Sequence, residues 1–265
     1  LSEKIAPTSL RERMIADGTF EALPVRKPND PDACGLDKLP YDEIEGHVPA
    51  VRPRARYQAW KDTGIRPFFE VAAGRMTIGD FLSQMADDEL AHLLGGQPNT
   101  GVANTFGYGN LPEYGVPNVM TADGPAGLRI DPVCGIHTTA FPCATLLACT
   151  WDPDLVYAVG EAGAKEVKEN NIAVWLTPAV NIHRSPLCGR NFEYYSEDPL
   201  LTGILGAAMV KGIQSQHVGA TVKHFALNNK ETNRKESDSR VSERAAREIY
   251  LKAFEIIVKE ANPWS

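Results

Sequence analysis

The sequence predicts an α/β protein: a partial (β/α)8, TIM-like barrel, the first three β/α units, preceded by an irregular N-terminal arm. Three observations carry this. From residue 118 onward, short apolar strands alternate with helices in the order βαβαβα. The strand candidates are apolar on both faces, as in IAVWLTPAV at 172–180, which suits a parallel sheet covered by helices. The segments after each strand are unusually polar, and barrels gather their chemistry at that end.

Composition sets the bounds. The 265 residues are 43% hydrophobic and 23% charged, enough for a sizeable core. A net charge of -7, with no run of Lys and Arg interleaved with aromatics, argues against a nucleic-acid partner. The longest nearly apolar run, AFPCATLLACTW at 140–151, holds a proline and two threonines and falls far short of the ~20 residues of a membrane span. No membrane segment is expected. Cys34, Cys134, Cys143, Cys149 and Cys188 are an odd set without C-x-x-C spacing, which favours reduced thiols and leans toward a cytoplasmic location. No signal peptide is visible, and the chain opens on Leu1, so the natural N-terminus stays open.

Residues 1–75 read as an arm or interdomain linker. Pro24, Pro28, Pro31, Pro40, Pro49 and Pro53 punctuate them, and only Ser9 to Leu23 and Arg54 to Trp60 hint at helix. Residues 76–265 read as the barrel portion. Thr77 with Asp80 is a capping signature opening a helix through Ile78, Phe81, Leu82, Met85, Leu90, Leu93 and Leu94, which Gly95-Gly96 stops. A Gly- and Asn-rich loop reaches Gly115, and a first strand covers 118–122. Asp152-Pro153 opens a helix to Asn171, residues 172–180 form the second strand, and Asp198-Pro199 opens the next helix. The third strand covers 220–226, and a last helix carries Ala246, Ile249, Tyr250, Ala253, Phe254 and Ile257 before Asn262-Pro263 ends it. An open dinucleotide-binding sheet is the rival, but GYGNLPEYG precedes the first strand and contains Pro112, the wrong context for a phosphate loop. A full barrel takes about 250 residues, so three units leave it unclosed.

The three polar loops hold Asp123 to Arg129, then Asn181 to Asp198, then Lys223, His224 and Arg234. A carboxylate facing fixed cations and an imidazole suits sugar hydroxyls: the carboxylate accepts from two, while Arg and Lys donate to others. Local explanations compete. Asp123 before Gly-Pro also fits an Asx-turn, Arg190 and Glu193 an internal ion pair, Asp198 a helix cap, and His183 with Arg184 loop bracing. Cys134, His137 and Cys143 match no zinc spacing, so neither metal nor cofactor is expected. Lys223 and His224 pose a problem of their own, since strand neighbours point to opposite faces and one charge would meet the helical layer. A bulge or a non-proline cis bond at the strand's end would bring both over one pocket.

Together MTADGPAGLR, NIHRSPLCGRNFEYYSEDP and VKHFALNNKETNR resemble three barrel motifs of glycoside hydrolase family 3, especially its β-glucosidases, across residues 76–265. The resemblance implies that Asp123, Arg129, Arg190, Lys223, His224 and Arg234 line a glucose site, with Asp123 clamping the hydroxyls farthest from the scissile bond, so that action is exo. It implies a retaining mechanism whose Asp nucleophile and Glu acid/base both lie outside this chain. It implies too a β-glucoside or cello-oligosaccharide substrate and a second polypeptide, or the remainder of the same protein, to complete the barrel. Homo-oligomers are possible partners as well. The long arm suits a member with permuted domain order, in which a sandwich domain precedes the barrel. The branch carrying K-H-F-P-G-H-G is disfavoured because this chain reads KHFALNNKETNR. A β-xylosidase of the same family, a Schiff-base aldolase using Lys223, and a non-catalytic sugar-binding remnant stay as alternatives.

Overall fold

The computed structural model describes residues 12–14, 19–22, 67–99 and 101–265. Two compact units divide between Ala91 and His92. In the first, β1 (Glu12–Met14) pairs antiparallel with β2 (Phe20–Ala22), where a helix was expected over Ser9 to Leu23. The sequence between the two strands contains Asp17-Gly18, a dipeptide that favours hairpin connections over continuous helix. The helix hint at Arg54 to Trp60 lies outside the described residues.

Helices α1 (Pro67–Ala72), α2 (Ile78–Leu82) and α3 (Asp87–Leu94) follow, so the single helix expected after Thr77 is two. Thr77 caps as its spacing predicts, taking the Asp80 amide at 3.1 Å. The break comes from side chains that compete for backbone. The Ser83 hydroxyl and the Gln84 amide both donate to the Asp80 carbonyl, at 2.8 and 3.0 Å, and the Glu89 carboxylate takes the Ala86 N–H at 2.8 Å to begin the next helix.

The second unit opens with a hairpin of β3 (Tyr108–Leu111) and β4 (Val116–Val119), inside a stretch that reads as loop. Its turn ends on Gly115 at φ 82°, a conformation that glycine adopts without a Cβ penalty. The expected strand at 118–122 therefore switches partners: after Met120, β5 (Thr121–Ala122) joins a parallel sheet. Beyond it lie α4 (Ala144–Ala148) and α5 (Pro153–Glu169), then β6 (Val174–Trp175), α6 (Pro199–Gln214), β7 (Gly219–Ala220), α7 (Glu243–Ala245), a π-helical turn at Ala246–Tyr250 and α8 (Lys252–Ala261). Asp152 and Asp198 cap α5 and α6 as expected, each carboxylate accepting first-turn amides.

The sheet order β5-β6-β7 is parallel throughout and does not close into a barrel. The second and third strands are shorter than the expected 172–180 and 220–226. Pro178, which has no N–H, interrupts the ladder after β6. Pairing resumes once, between Ala179 and Lys223. Ser265 continues the same edge: its N–H donates to the Ala220 carbonyl at 3.1 Å and its carbonyl accepts from Val222 at 3.2 Å.

The core lies between this sheet and the helices. Ala122, Trp175 and Ala220 from the strands meet Val156 and Val167 of α5, Leu205, Met209 and Ile213 of α6, and Phe254 and Ile257 of α8. Small residues let the layers approach. A Cβ on Gly163 would come 2.3 Å from the Trp175 ring, and one on Gly212 of α6 would come 2.2 Å from the Tyr157 carbonyl of α5. Alanine in place of a helical glycine ordinarily gains up to ~1 kcal/mol, but overpacking against fixed backbone costs ~1–3 kcal/mol. Gly212→Ala is therefore expected to lower the urea midpoint of unfolding; a raised midpoint would show that α5 and α6 do not cross this closely.

Candidate functional site

Because β5, β6 and β7 run parallel, the segments leaving them emerge at one end of the sheet. Asp123 follows β5 directly. Its backbone is fixed on both sides, the N–H donating to Asn104 Oδ1 at 3.0 Å and the carbonyl accepting from the Arg129 N–H at 2.9 Å. The turn needs glycine at 124, where φ is 129° and a Cβ would lie 1.7 Å from the Gly127 carbonyl oxygen. The Asp123 carboxylate takes no part in that turn. Instead, Oδ1 accepts from Lys223 Nζ at 3.1 Å, so the two loops are joined by an ion pair.

Lys223 and His224 lie where the expectation put them, just past the ladder of β7. Lys223 donates its backbone N–H to the Pro178 carbonyl at 3.0 Å and accepts from Val180 at 2.7 Å, which sets its register against the strand beside it. The backbone of His224 is held at both ends by buried Asn181: the His224 N–H donates to Asn181 Oδ1 at 2.9 Å, and Asn181 Nδ2 donates to the His224 carbonyl at 3.0 Å. The bond between Lys223 and His224 is cis. Both side chains meet the site's other residues, Lys223 through Asp123 and His224 through Arg190.

Arg190, from the loop after β6, is the hub. Nε donates to Glu193, which is 2% exposed, Nη2 to His224 Nε2 at 2.8 Å, and Nη1 reaches Glu231 at 3.5 Å. Glu193 is thus committed to Arg190, the structural pairing that its spacing suggests. Burial works against the Arg190 charge, but the hydrogen bond and charge of Glu193, with Tyr194 and Glu231, leave its pKa above the ordinary value. A guanidinium has only donors, so His224 Nε2 must accept and the ring proton sits on Nδ1, which faces the Tyr194 hydroxyl at 3.5 Å. Burial first, then the Arg190 and Lys223 charges, push the imidazole's pKa down to about 3.

Arg234 stands at the rim, half exposed, with Nη1 3.3 Å from Glu231 Oε2. Arg129 is exposed, and its side chain makes no hydrogen bond or ion pair with the described residues. So the expected residues form two groups, Asp123 paired with Lys223, and Arg190 in contact with His224 and joined to Arg234 through Glu231; the groups are linked by the chain between Lys223 and His224, and Arg129 stands apart. Sequence reading missed Asn181, Tyr194, Asn228 and Glu231. Only Glu231 left a signal, a carboxylate three residues before Arg234. Beside the network, residues from the segments 184–189 and 226–241 line a cleft of about 910 Å³, with Glu231 and Arg234 in its wall.

Of the local readings, His183 does brace its loop, its Nε2 lying 2.8 and 3.0 Å from the carbonyls of Asn191 and Tyr194. Arg184 lines the cleft. No group of three His, Cys, Asp or Glu able to hold a metal occurs among the described residues, and none of their helices is long and apolar enough to cross a membrane.

Comparison with known proteins places this geometry. The model of the glycosyl hydrolase family 3 N-terminal domain matches residues 110–263. Beta-glucosidase A of Butyrivibrio fibrisolvens is 60% identical over 99% of this chain and 33% of its own length. Among solved structures, the β-glucosidase of Paenibacillus barengoltzii aligns with a TM-score of 0.73 at 39% identity, covering 94% of this chain and 26% of that one. β-glucosidase 3B of Thermotoga neapolitana, in complex with α-D-glucose, aligns with a TM-score of 0.67 at 47% identity, covering 71% and 28%. The chain spans a third or less of the length of the first curated relatives it matches.

The His224 assignment is measurable. Unfolding returns the ring to its ordinary pKa of ~6.5, so between that value and about 3 the unfolded chain binds a proton that the folded one does not, and stability falls as pH drops through this window. Imidazole ¹⁵N spectra should show a neutral Nδ1–H ring for His224 from pH 8 to below 5. A titration midpoint near 6.5 would contradict the buried, cation-flanked placement.

Proposed function

The chain belongs to glycoside hydrolase family 3, and from that premise we propose that it supplies the glucose-holding part of an exo-acting, retaining β-glucosidase. The observation that carries this reading is the convergence of one carboxylate, Asp123, with Lys223, His224 and Arg190 at a single end of the parallel sheet. Their hydrogen-bonding capacity is only partly spent. A guanidinium has five N–H donors and Arg190 uses three; an ammonium has three and Lys223 uses one on Asp123. Asp123 Oδ2 has no partner among the described residues. Two acceptors and several fixed donors at one end of the sheet match the alternating hydroxyls of a single sugar ring.

Asp123 binds the hydroxyls remote from the scissile bond, and a residue held there has no room for a further sugar beyond it, so hydrolysis removes terminal non-reducing units. Lys223 and Arg190 donate to neighbouring hydroxyls. His224, neutral with its proton on Nδ1, acts as a shaped polar wall that does not add charge. Hydrogen bonds to ring hydroxyls contribute most as the transition state flattens the sugar and develops positive charge.

A retaining pair of carboxyl groups stands ~5–5.5 Å apart across the scissile bond. Glu193 and Glu231 are already engaged by guanidiniums, and Asp123 by Lys223. These commitments, with the short span of the chain relative to its relatives, support a nucleophile and an acid/base supplied by further polypeptide. The aldolase alternative fits less well, because the Lys223 ammonium is committed to Asp123 as a donor and a Schiff base needs a free amine. Among the described residues, Cys134, Cys143, Cys149 and Cys188 are unpaired, which supports a reducing, cytoplasmic setting.

In the complete enzyme, Asp123→Ala is expected to cut kcat/KM on an aryl β-glucoside by ~30- to 1000-fold, ~2–4 kcal/mol, with the circular dichroism spectrum unchanged. Near-normal kinetics would remove Asp123 from the site, and preference for a pentoside would favour the xylosidase alternative. The 265-residue chain by itself should show no turnover of the same substrate; a rate comparable to the complete enzyme would place both catalytic carboxylates within it.

A further inference from the structure

Glu231 does two things at once, one with each carboxylate oxygen. Oε1 lies 3.5 Å from Arg190 Nη1 and 3.4 Å from Asn228 Nδ2. Asn228 is itself anchored, accepting the Tyr194 hydroxyl at its carbonyl at 3.0 Å and donating back to that hydroxyl at 3.3 Å. Tyr194 faces His224 Nδ1, and His224 Nε2 accepts from Arg190 at 2.8 Å. The five side chains Arg190, Glu231, Asn228, Tyr194 and His224 therefore form a closed ring. Oε2, outside the ring, lies 3.3 Å from Arg234 Nη1.

The charges explain why a carboxylate is needed there. Arg190, Arg234 and Lys223 bring like charge to one small region, while Glu193 meets only Arg190 and Asp123 only Lys223 among them. Without Glu231 nothing among the described residues restrains Arg234, a long side chain that is half exposed. An exposed ion pair contributes little to folding. Its value here is geometric, since a guanidinium displaced by an ångström loses its alignment with a ligand hydroxyl.

We propose that Glu231 is a positioning residue, holding Arg190 through the ring and Arg234 through its outer oxygen so that both guanidiniums present their remaining donors to the sugar. The inference rests on the reading of the pocket as a glucose site. Glu231 does not itself touch the sugar, because both oxygens face cations, and it takes no part in proton transfer.

The test uses the complete enzyme and an aryl β-glucoside. Glu231→Ala should lower kcat/KM by about 10- to 100-fold, chiefly through KM, while shifting Tm by only a few degrees. Glu231→Gln, nearly isosteric, keeps one acceptor and loses the other, and should fall between Glu231→Ala and the parent. In an Arg234→Ala background the Glu231→Ala effect should shrink to below about half its logarithm, because the two share one function. Equal, multiplicative losses in both backgrounds would overturn the proposal, as would normal kinetics in the single variants. A drop in Tm with unchanged KM in the folded fraction would overturn it too, by assigning Glu231 to folding alone. Should Glu231→Ala fail to fold, Glu231→Gln decides by the same readings. Asp123→Ala, run in parallel, separates the failures: if it is impaired and the Glu231 variants are not, this inference fails alone; if it too is normal, the glucose-site reading fails with it.

Discussion

The register of Lys223 against the neighbouring strand is the constraint on which the site depends. One backbone pairing, Lys223 N–H to Pro178 and Val180 N–H to the Lys223 carbonyl, fixes where β7's extension ends. Asn181 then binds both the N–H and the carbonyl of His224, so the residue cannot slip or rotate away. A shift of one residue would turn Lys223 into the helical layer, where the core offers aliphatic side chains and no counter-charge. The pairing with Asp123, the contact of Arg190 with His224, and the ring through Glu231 all presuppose this register.

Electrostatics follows from that placement. Burial is the largest influence on His224, and the Arg190 and Lys223 charges beside it add to that against the opposing charge of Asp123, so the imidazole stays neutral. Neutrality in turn lets Nε2 accept from Arg190, which a protonated ring could not do. The same burial pushes the Tyr194 phenol above its ordinary pKa, keeping it a hydroxyl that donates to Asn228. Each group's protonation state is thus set by its neighbours in the ring, and the ring is stiff because every member has two partners.

Much of this was legible in the sequence where the cause is local. Thr77, Asp152 and Asp198 cap helices through bonds spanning two or three residues, and their spacing announces it. The alternation from 118 onward and the polar loops disclosed the parallel sheet and the end where side chains gather. What stayed hidden depends on distant partners. The hairpin of β3 and β4 is a pairing choice, invisible in a Gly-rich stretch, and the strand at 118–122 changes partner midway because Met120 accepts from Ala173 and Val174. The interruption at Pro178 was written in the sequence but overridden by the apolar run around it. Glu231 was overlooked because a carboxylate three residues before an arginine usually marks a solvated helix face, and here its other oxygen reaches Arg190 across 41 positions.

The central claim is that Asp123, Lys223, His224 and Arg190 jointly hold one sugar ring. A crystal structure of the complete protein with glucose bound tests it most directly. The account requires the sugar's hydroxyls within hydrogen-bond distance of the Asp123 carboxylate, Lys223 Nζ and the Arg190 guanidinium, with His224 against the same ring. Glucose seated only in the neighbouring cleft between residues 184–189 and 226–241, with the Asp123–Lys223 pair untouched, would contradict it.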